Sequence, residues 1–499
     1  MRDVATLGVC LTVGAASTAC GPSLSTTAQA HAATQAAIGA SALTLAPLER
    51  VSVANGGAEL RTCTTARPAC KNSSHPVLSY DGLRVAFDCD ALDVVPGFAN
   101  DRHDAHIYVR DLASGSTQLI SAARAADGSI VPPNDGAAFA EMSADGAFVA
   151  FGSSATNLAA SDTEPDSDVF LARLEPFQIE CLTATLDGVS SGPALNADAR
   201  FVAFVSTASV VPDLRLVDGR PASQAPTTFD NVFLLDRSDA RFTWLSAARD
   251  KQSNGPSTQP SIDDVGLRIA FVSEATDLVE RDSNGAEPDV FVIDRESGEL
   301  RCVSVALGSR ATANGVSRKP AISGNGRFVV FESTATDLIA PGSDTNKLSD
   351  IFVRDLATES TVRVSVANDD AEARGQSGYG AISPDGRFVA FTSFARNLVP
   401  GGTTRGTSQF YVRDRDVSGN GVFDEAGDTR TLRLSQSLAG IPANARSGGN
   451  CDLSGDGRTA VFMSEGSELV PGDLNGAADH APCSPTCLFG RDVFRVTFD

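Results

Sequence analysis

The residues in this 499-residue chain best suited to chemistry are oxygen ligands. Asp416-Val417-Ser418-Gly419-Asn420-Gly421-Val422-Phe423-Asp424-Glu425 places Asp416, Ser418 and Asn420 at alternate positions before a glycine. That is the spacing of a calcium loop, in which a hard cation collects oxygens and the glycine permits the sharp turn. Val422 offers its carbonyl and Asp424 takes the next ligand position; Gly427 stands where the bidentate Glu is expected, so Glu425 or Asp428 must substitute. The spacing predicts Ca²⁺ held by Asp416, Ser418, Asn420, Val422, Asp424 and Glu425. The alternative is a Gly-Asn turn that needs no ion. Further acids recur before one strand type: Asp282-Ser283-Asn284-Gly285 before Asp289, Asp344-Thr345-Asn346 before Asp350, Asp473-Leu474-Asn475-Gly476 before Asp479, Asp162 and Asp166 before Asp168, and Asp101 with Asp104. They read as Asx turns first and as calcium ligands second.

Catalytic constellations are sparse. Of the five histidines, His31 falls in a low-complexity stretch, and His103 and His106 read as exposed loop residues beside Asp101 and Asp104. There is no glycine-rich phosphate loop ahead of a helix. A formal charge of −22 disfavours phosphate backbones, and with them nucleic acid, while leaving cations, basic peptides and neutral glycans as partners. Trp244 reads as a packing residue.

The elements that must position these residues are repeats. Ser383-Pro384-Asp385-Gly386-Arg387-Phe388-Val389-Ala390-Phe391 is a tight turn followed by a strand, because Asp-Gly supplies the positive φ a hairpin needs. It recurs at Ser323, Ser454, Ser143 and Ser79, and in degenerate form at Asn196 and Gly266, which makes seven copies. A third-strand signature, as in Asp350-Ile351-Phe352-Val353-Arg354-Asp355, and an alternating fourth strand, as in Thr361 to Ala367, follow each copy; the first strand reads as short, as in Ala321-Ile322-Ser323. Four strands per unit at a period of roughly fifty residues define an all-β, seven-bladed β-propeller. The expected blades are 73–125, 137–186, 190–249, 258–307, 318–368, 377–437 and 447–499. The last unit stops after its third strand. Leu48-Glu49-Arg50-Val51-Ser52-Val53-Ala54-Asn55 is an orphan fourth strand almost identical to Val362–Asn368. Residues 48–57 are therefore expected to complete the seventh blade and close the ring. In such a ring the loops between second and third strands share one face with the inter-blade connections, and the Ser-x-Asp-Gly turns and the loop at Asp416 lie on the other.

The Ser-x-Asp-Gly-Arg-Phe-Val-Ala-Phe and Asp-x-Phe-Val-Arg-Asp signatures resemble the WD40-like PD40 repeats of bacterial TolB-type propellers, over residues 48–499. TolB itself has a preceding domain and six blades, where seven are counted here. The resemblance implies an envelope location and a binding role.

The N-terminus points the same way. Arg2 followed by the apolar run Val4–Ala16 suits an export signal over residues 1–19, too short to span a bilayer. Ser17-Thr18-Ala19-Cys20 resembles a lipoprotein site with Cys20 lipidated; plain secretion, with a later site at Ala28-Gln29-Ala30, is the alternative. Residues 20–47, rich in Ala, Ser and Thr, read as a flexible tether. In an oxidising compartment Cys63 with Cys70 and Cys483 with Cys487 are the local disulfide candidates, although eight cysteines allow 105 pairings. The expected protein is an exported, monomeric, non-catalytic propeller of the periplasm or cell surface. Its expected partner is an envelope protein, a peptide or a glycan, and it meets a membrane only through a lipid anchor. The alternative is a lyase or glycosidase using the central channel, which requires carboxylates converging there with a basic residue beside them.

Overall fold

The computed structural model describes residues 45–499 except 56, 58–59, 61–71, 101, 103, 163, 223–228, 249–251, 402–405 and 472–489. The export signal, Cys20, most of the tether, His31, His103, Asp101, the acids from Asp473 to Asp479 and both local cysteine pairs lie outside the described residues. Cys89, Cys181, Cys302 and Cys451 are free thiols.

Seven antiparallel sheets carry the described chain, six of four strands and one of five, with no helix among the described residues. The extra strand, Arg215–Leu216, adds to the outer edge of blade 3. Each second strand is almost wholly buried because a neighbouring blade covers either face. Phe388–Ser393 is buried at all six positions. The cores accordingly lie between blades. Ala270 and Val272 of blade 4 pack with Val329 and Phe331 of blade 5, and Val461 and Val493 of blade 7 pack with Leu78 and Val85 of blade 1. Burying one such Phe side chain stabilises the ring by about 2–3 kcal/mol.

The orphan strand does close the ring. Glu49–Arg50 pairs antiparallel with Asp492–Thr497, Glu49 opposite Arg495 and Arg50 opposite Phe494. Beyond it Ser52 Oγ donates to Asp492 at 2.7 Å and accepts the Val493 amide at 3.0 Å. Ser365 makes the same pair of bonds to Asp350 and Ile351 within blade 5, at 2.7 and 3.0 Å. The N-terminal segment therefore supplies the fourth-strand serine that blade 7 lacks.

These bonds give the strand-opening acids a role separate from that of the loop acids before them, of which Asp282 accepts the amides of Asn284 and Gly285 as an Asx turn does. Asp168, Asp289 and Asp350 open third strands, are buried, and accept the hydroxyls of Thr183, Ser304 and Ser365. Burial raises the carboxyls of Asp289 to about 7 and of Asp350 to about 6. They are blade fasteners rather than loop ligands. His106 holds the same place in blade 1. It is buried rather than exposed, and burial lowers its pKa to about 4. Trp244 is buried, donating from Nε1 to Asn231 Oδ1 at 3.1 Å.

A blind channel lined by seven inner strands

The first strand of each blade is the inner edge of its sheet, and neighbouring first strands touch one another all the way round. They are Ser73–Leu78, Ala137–Met142, Ser190–Leu195, Ser257–Ile262, Ser317–Ile322, Ser377–Ile382 and Ser447–Leu453. Each is longer than the sequence reading allowed, because it continues through a break in register: between Ser74 and Val77 in blade 1, between Arg318 and Ala321 in blade 5, and at the equivalent place in the other five. The break is a β-bulge. Pro76, Pro193, Pro260 and Pro320 sit in it, where an inner edge strand has no ladder partner to lose.

The residue at the bulge takes a left-handed backbone in every blade. In order around the ring these are His75 (φ 45°), Phe139 (60°), Gly192 (56°), Gln259 (54°), Lys319 (50°), Tyr379 (58°) and Gly449 (100°). Five of the seven are not glycine, and each such residue costs of order 1 kcal/mol. Their side chains meet one another. The His75 and Phe139 rings lie 5.1 Å apart. Gln259 Oε1 accepts the Lys319 amide at 2.9 Å, and Lys319 Nζ stands 3.3 Å from the centre of the Tyr379 ring. The two glycines fall between these groups. The mouth is thus a slot, with His75 and Phe139 on one wall and Gln259, Lys319 and Tyr379 on the other. Phe139 is 52% exposed and Tyr379 40%. The charges are balanced locally: His75 Nδ1 lies 3.0 Å from buried Asp88, and Lys319 Nζ lies 3.3 Å from Glu332.

Two residues further along the inner strands, three in blade 7 whose first strand is one residue longer, is a second layer: Val77, Glu141, Ala194, Ser261, Ala321, Ala381 and Asp452. Asp452 accepts the Leu78 amide at 2.8 Å and its neighbour's amide, Leu453, at 2.8 Å. Burial nevertheless raises its carboxyl to about 6. Glu141 has no hydrogen bond or ion pair among the described residues. It is enclosed by protein yet keeps some surface that water reaches. Its carboxyl is pushed up to about 8 by burial and, secondarily, by the charge of Asp452.

Below this layer the Ser-x-Asp-Gly turns converge and shut the channel. The second residue of one turn donates its amide to the next turn's carbonyl: Tyr80 to Ala144 (2.9 Å), Ala144 to Ala197 (2.9 Å), Ala197 to Asp264 (3.2 Å), Asp264 to Gly324 (3.0 Å) and Gly455 to Tyr80 (2.9 Å). At the two remaining places Asn325, in place of Gly324, donates to Pro384 (2.9 Å), and Pro384 has no N–H to give. Tyr80 of blade 1 donates its hydroxyl to Asp264 of blade 4, across the axis. Burial and then the Asp264 carboxylate hold the Tyr80 phenol far above its ordinary pKa. Gly324 and Gly455 leave room for these side chains; a Cβ at Gly324 would stand 2.4 Å from Asp264 Oδ2, and one at Gly455 2.9 Å from Tyr80 Cβ.

The sequence-derived calcium residues lie elsewhere, in the blade 6 loop between strands Gln409–Asp414 and Arg430–Arg433. The loop brings Asp416, Ser418 and Asn420 together, but on its own donors. Asp416 accepts the amides of Asn420 (3.0 Å) and Gly421 (2.7 Å), Ser418 Oγ donates to Asp428 (2.7 Å), and Asn420 donates to Glu425 (2.7 Å). Val422 donates its amide to Asn420 Oδ1 at 2.7 Å. Asp424 turns to the buried guanidinium of Arg415, 2.6 Å away. Carboxylate oxygens of Asp344, Asp350 and Glu372 come within 4.8 Å of one another in blade 5. There Arg363 already supplies the positive charge, 2.6 Å from Glu372 and 3.4 Å from Asp350. A cavity of about 520 Å³ between Thr345–Leu348 and Ala371–Arg374 adjoins this cluster.

Sequence reasoning named the channel only as the site of an alternative enzyme and missed the residues of its inner strands. The available signal was the Pro or Gly three residues before the turn in five copies, Pro76, Pro193, Pro260, Pro320 and Gly380, preceded by a residue that varies: His75, Gly192, Gln259, Lys319 and Tyr379.

No protein-family model and no curated protein matches the chain. Solved structures do, as TolB-like and related propeller proteins. TolB from Acinetobacter baumannii is 10% identical over 74% of this chain, with a TM-score of 0.35; the chain spans 65% of that protein's length. Oligogalacturonate lyase from Vibrio parahaemolyticus is 10% identical over 91% of this chain and 97% of its own, with a TM-score of 0.47. An oligogalacturonate lyase in complex with manganese is 12% identical over 92% and 98%, with a TM-score of 0.45. The likeness is one of fold.

Proposed function

We propose that this is an exported ligand-binding propeller whose recognition site is the mouth of the central channel. The observation that carries the reading is the bulge ring. Seven equivalent positions adopt a backbone that glycine adopts at least cost, yet five carry His, Phe, Gln, Lys and Tyr, all different. Strain retained by a side chain the fold does not need points to a use for that side chain. Two aromatic faces, an imidazole, an amide and an ammonium around one slot suit an extended chain, either a peptide segment of an envelope protein or a glycan. The apolar run at Val4–Ala16 supports export, and Cys20 supplies the anchor if it is lipidated.

Affinity capture from envelope extract tests the reading. The full chain retains a partner that a Phe139→Gly/Tyr379→Gly variant loses, although the variant melts no lower. Equal capture by both proteins would exclude the mouth.

The channel does hold carboxylates, as the enzyme alternative requires. Its nearest lysine, Lys319, is committed to Glu332 and to the Tyr379 ring, so binding is the better-supported reading.

A further inference from the structure

We infer that the layer below the mouth is a subsite for a primary ammonium group carried on an aliphatic stem, received between Glu141 and Asp452. This rests on the mouth being the recognition site and specifies what the ligand sends into it.

Three independent features of the channel agree. First, Glu141 is an enclosed carboxyl with no partner among the described residues, in a layer otherwise made of Val, Ala, Ser and one acid. An enclosed group that ionises without a partner is costly, and a cationic guest removes that cost. Second, the residues of the same layer on the far side from Glu141 and Asp452 are small: Ala194, Ser261, Ala321 and Ala381. They bring no cation that would compete for the acids. Third, the turns close the channel beneath, where Tyr80 and Asp264 meet, so a guest enters only through the mouth.

The dimensions select the guest. Phe139 stands two positions above Glu141, which is about 7 Å along a strand. A lysine side chain spans that distance, with its methylenes against Phe139 and Tyr379 and its nitrogen at the acids. An amine borne directly on a sugar ring has no stem to reach them. The titratable and charged groups on the inner strands are His75, Glu141, Arg318, Lys319, Tyr379, Cys451 and Asp452, with Asp88 beside His75, Glu332 beside Lys319, and Tyr80 with Asp264 beneath. With Asp452 ionised above about 6 and Glu141 protonated up to about 8, an arriving ammonium displaces the Glu141 proton. Binding should therefore release a proton and tighten as the pH rises from 6 to 8.

Titration calorimetry of the full chain with 1,5-diaminopentane, pentane-1,5-diol, a lysine-containing peptide and a glucosamine oligosaccharide tests the subsite. The diamine and the peptide bind, the diol and the sugar do not, and the diamine heat varies with buffer ionisation enthalpy as one proton leaves. Glu141→Gln weakens the diamine at least about tenfold, as loss of a charge-assisted bond should, and melts no lower than the parent. Equal binding of diamine and diol, binding of the sugar alone, or undiminished binding by Glu141→Gln would overturn the inference. If Glu141→Gln still captures the envelope partner while Phe139→Gly/Tyr379→Gly does not, the mouth reading stands and the ammonium subsite alone falls.

Discussion

The two ends of the channel are built from the same seven strands and behave oppositely. At the closed end the repeats are nearly uniform. Ser383, Ser323, Ser79, Ser143 and Ser454 each donate to the Asp or Asn two residues on, at 2.5–2.7 Å. The arginine after the turn pairs with the acid closing the third strand, as Arg387 does with Asp414 at 2.8 Å and Arg327 with Asp355 at 2.7 Å. At the open end the backbone is equally uniform, but the side chains on it differ. Uniform side chains mark what the ring needs to form, and a uniform backbone with varied side chains marks where it can be specialised.

The largest effect expected from that contrast is at the seam. Deleting residues 48–57 strips buried Asp492 of the Ser52 hydroxyl and of Arg50, 3.9 Å away, a loss of about 3–5 kcal/mol before the strand itself is counted. Urea or thermal melting checks it, and a truncated chain that melts like the parent would refute closure. Next comes the closed end. Gly386 has φ 86°, and a Cβ there would stand 2.2 Å from the Phe328 ring, so Gly386→Ala should destabilise by about 2–3 kcal/mol. At the open end the sign changes. Lys319→Gly or Phe139→Gly relieves a left-handed side chain, and each should leave stability within about 1 kcal/mol of the parent or raise it. A loss like that of Gly386→Ala would abolish the distinction between the two ends.

The pH response sharpens it further. The Glu141 carboxyl is raised from 4.5 to about 8, so between those values the folded state holds a proton that the unfolded chain has lost, and stability falls as pH rises through that window. Asp289, raised to about 7, and Asp350, raised to about 6, slope the same way. Melting temperatures from pH 5 to 8 should therefore decline, and less steeply in Glu141→Gln. The smallest effect concerns the blade 6 loop. A calcium ion would have to draw Asp424 from Arg415, so melting with millimolar calcium against chelator measures occupancy directly: a rise marks a bound ion, and no change marks a loop held by its own bonds.

Sequence alone determined the ring. The hairpin turn, the apolar second strand and the Asp-initiated third strand are local patterns whose chemistry is complete within a few residues, and seven repetitions leave one architecture. The orphan strand at Leu48–Asn55 was legible for the same reason, because it copies a segment already understood. Only tertiary structure decided what the interior holds. Pro320 and Gly380 look like strand breakers until the strand is known to be an inner edge with a bulge. Glu141 and Asp452 are more than three hundred residues apart in the chain and ordinary by composition. They become one layer because blades 2 and 7 flank blade 1 in a closed ring, and low-dielectric surroundings then couple two carboxyls that in the extended chain would titrate independently.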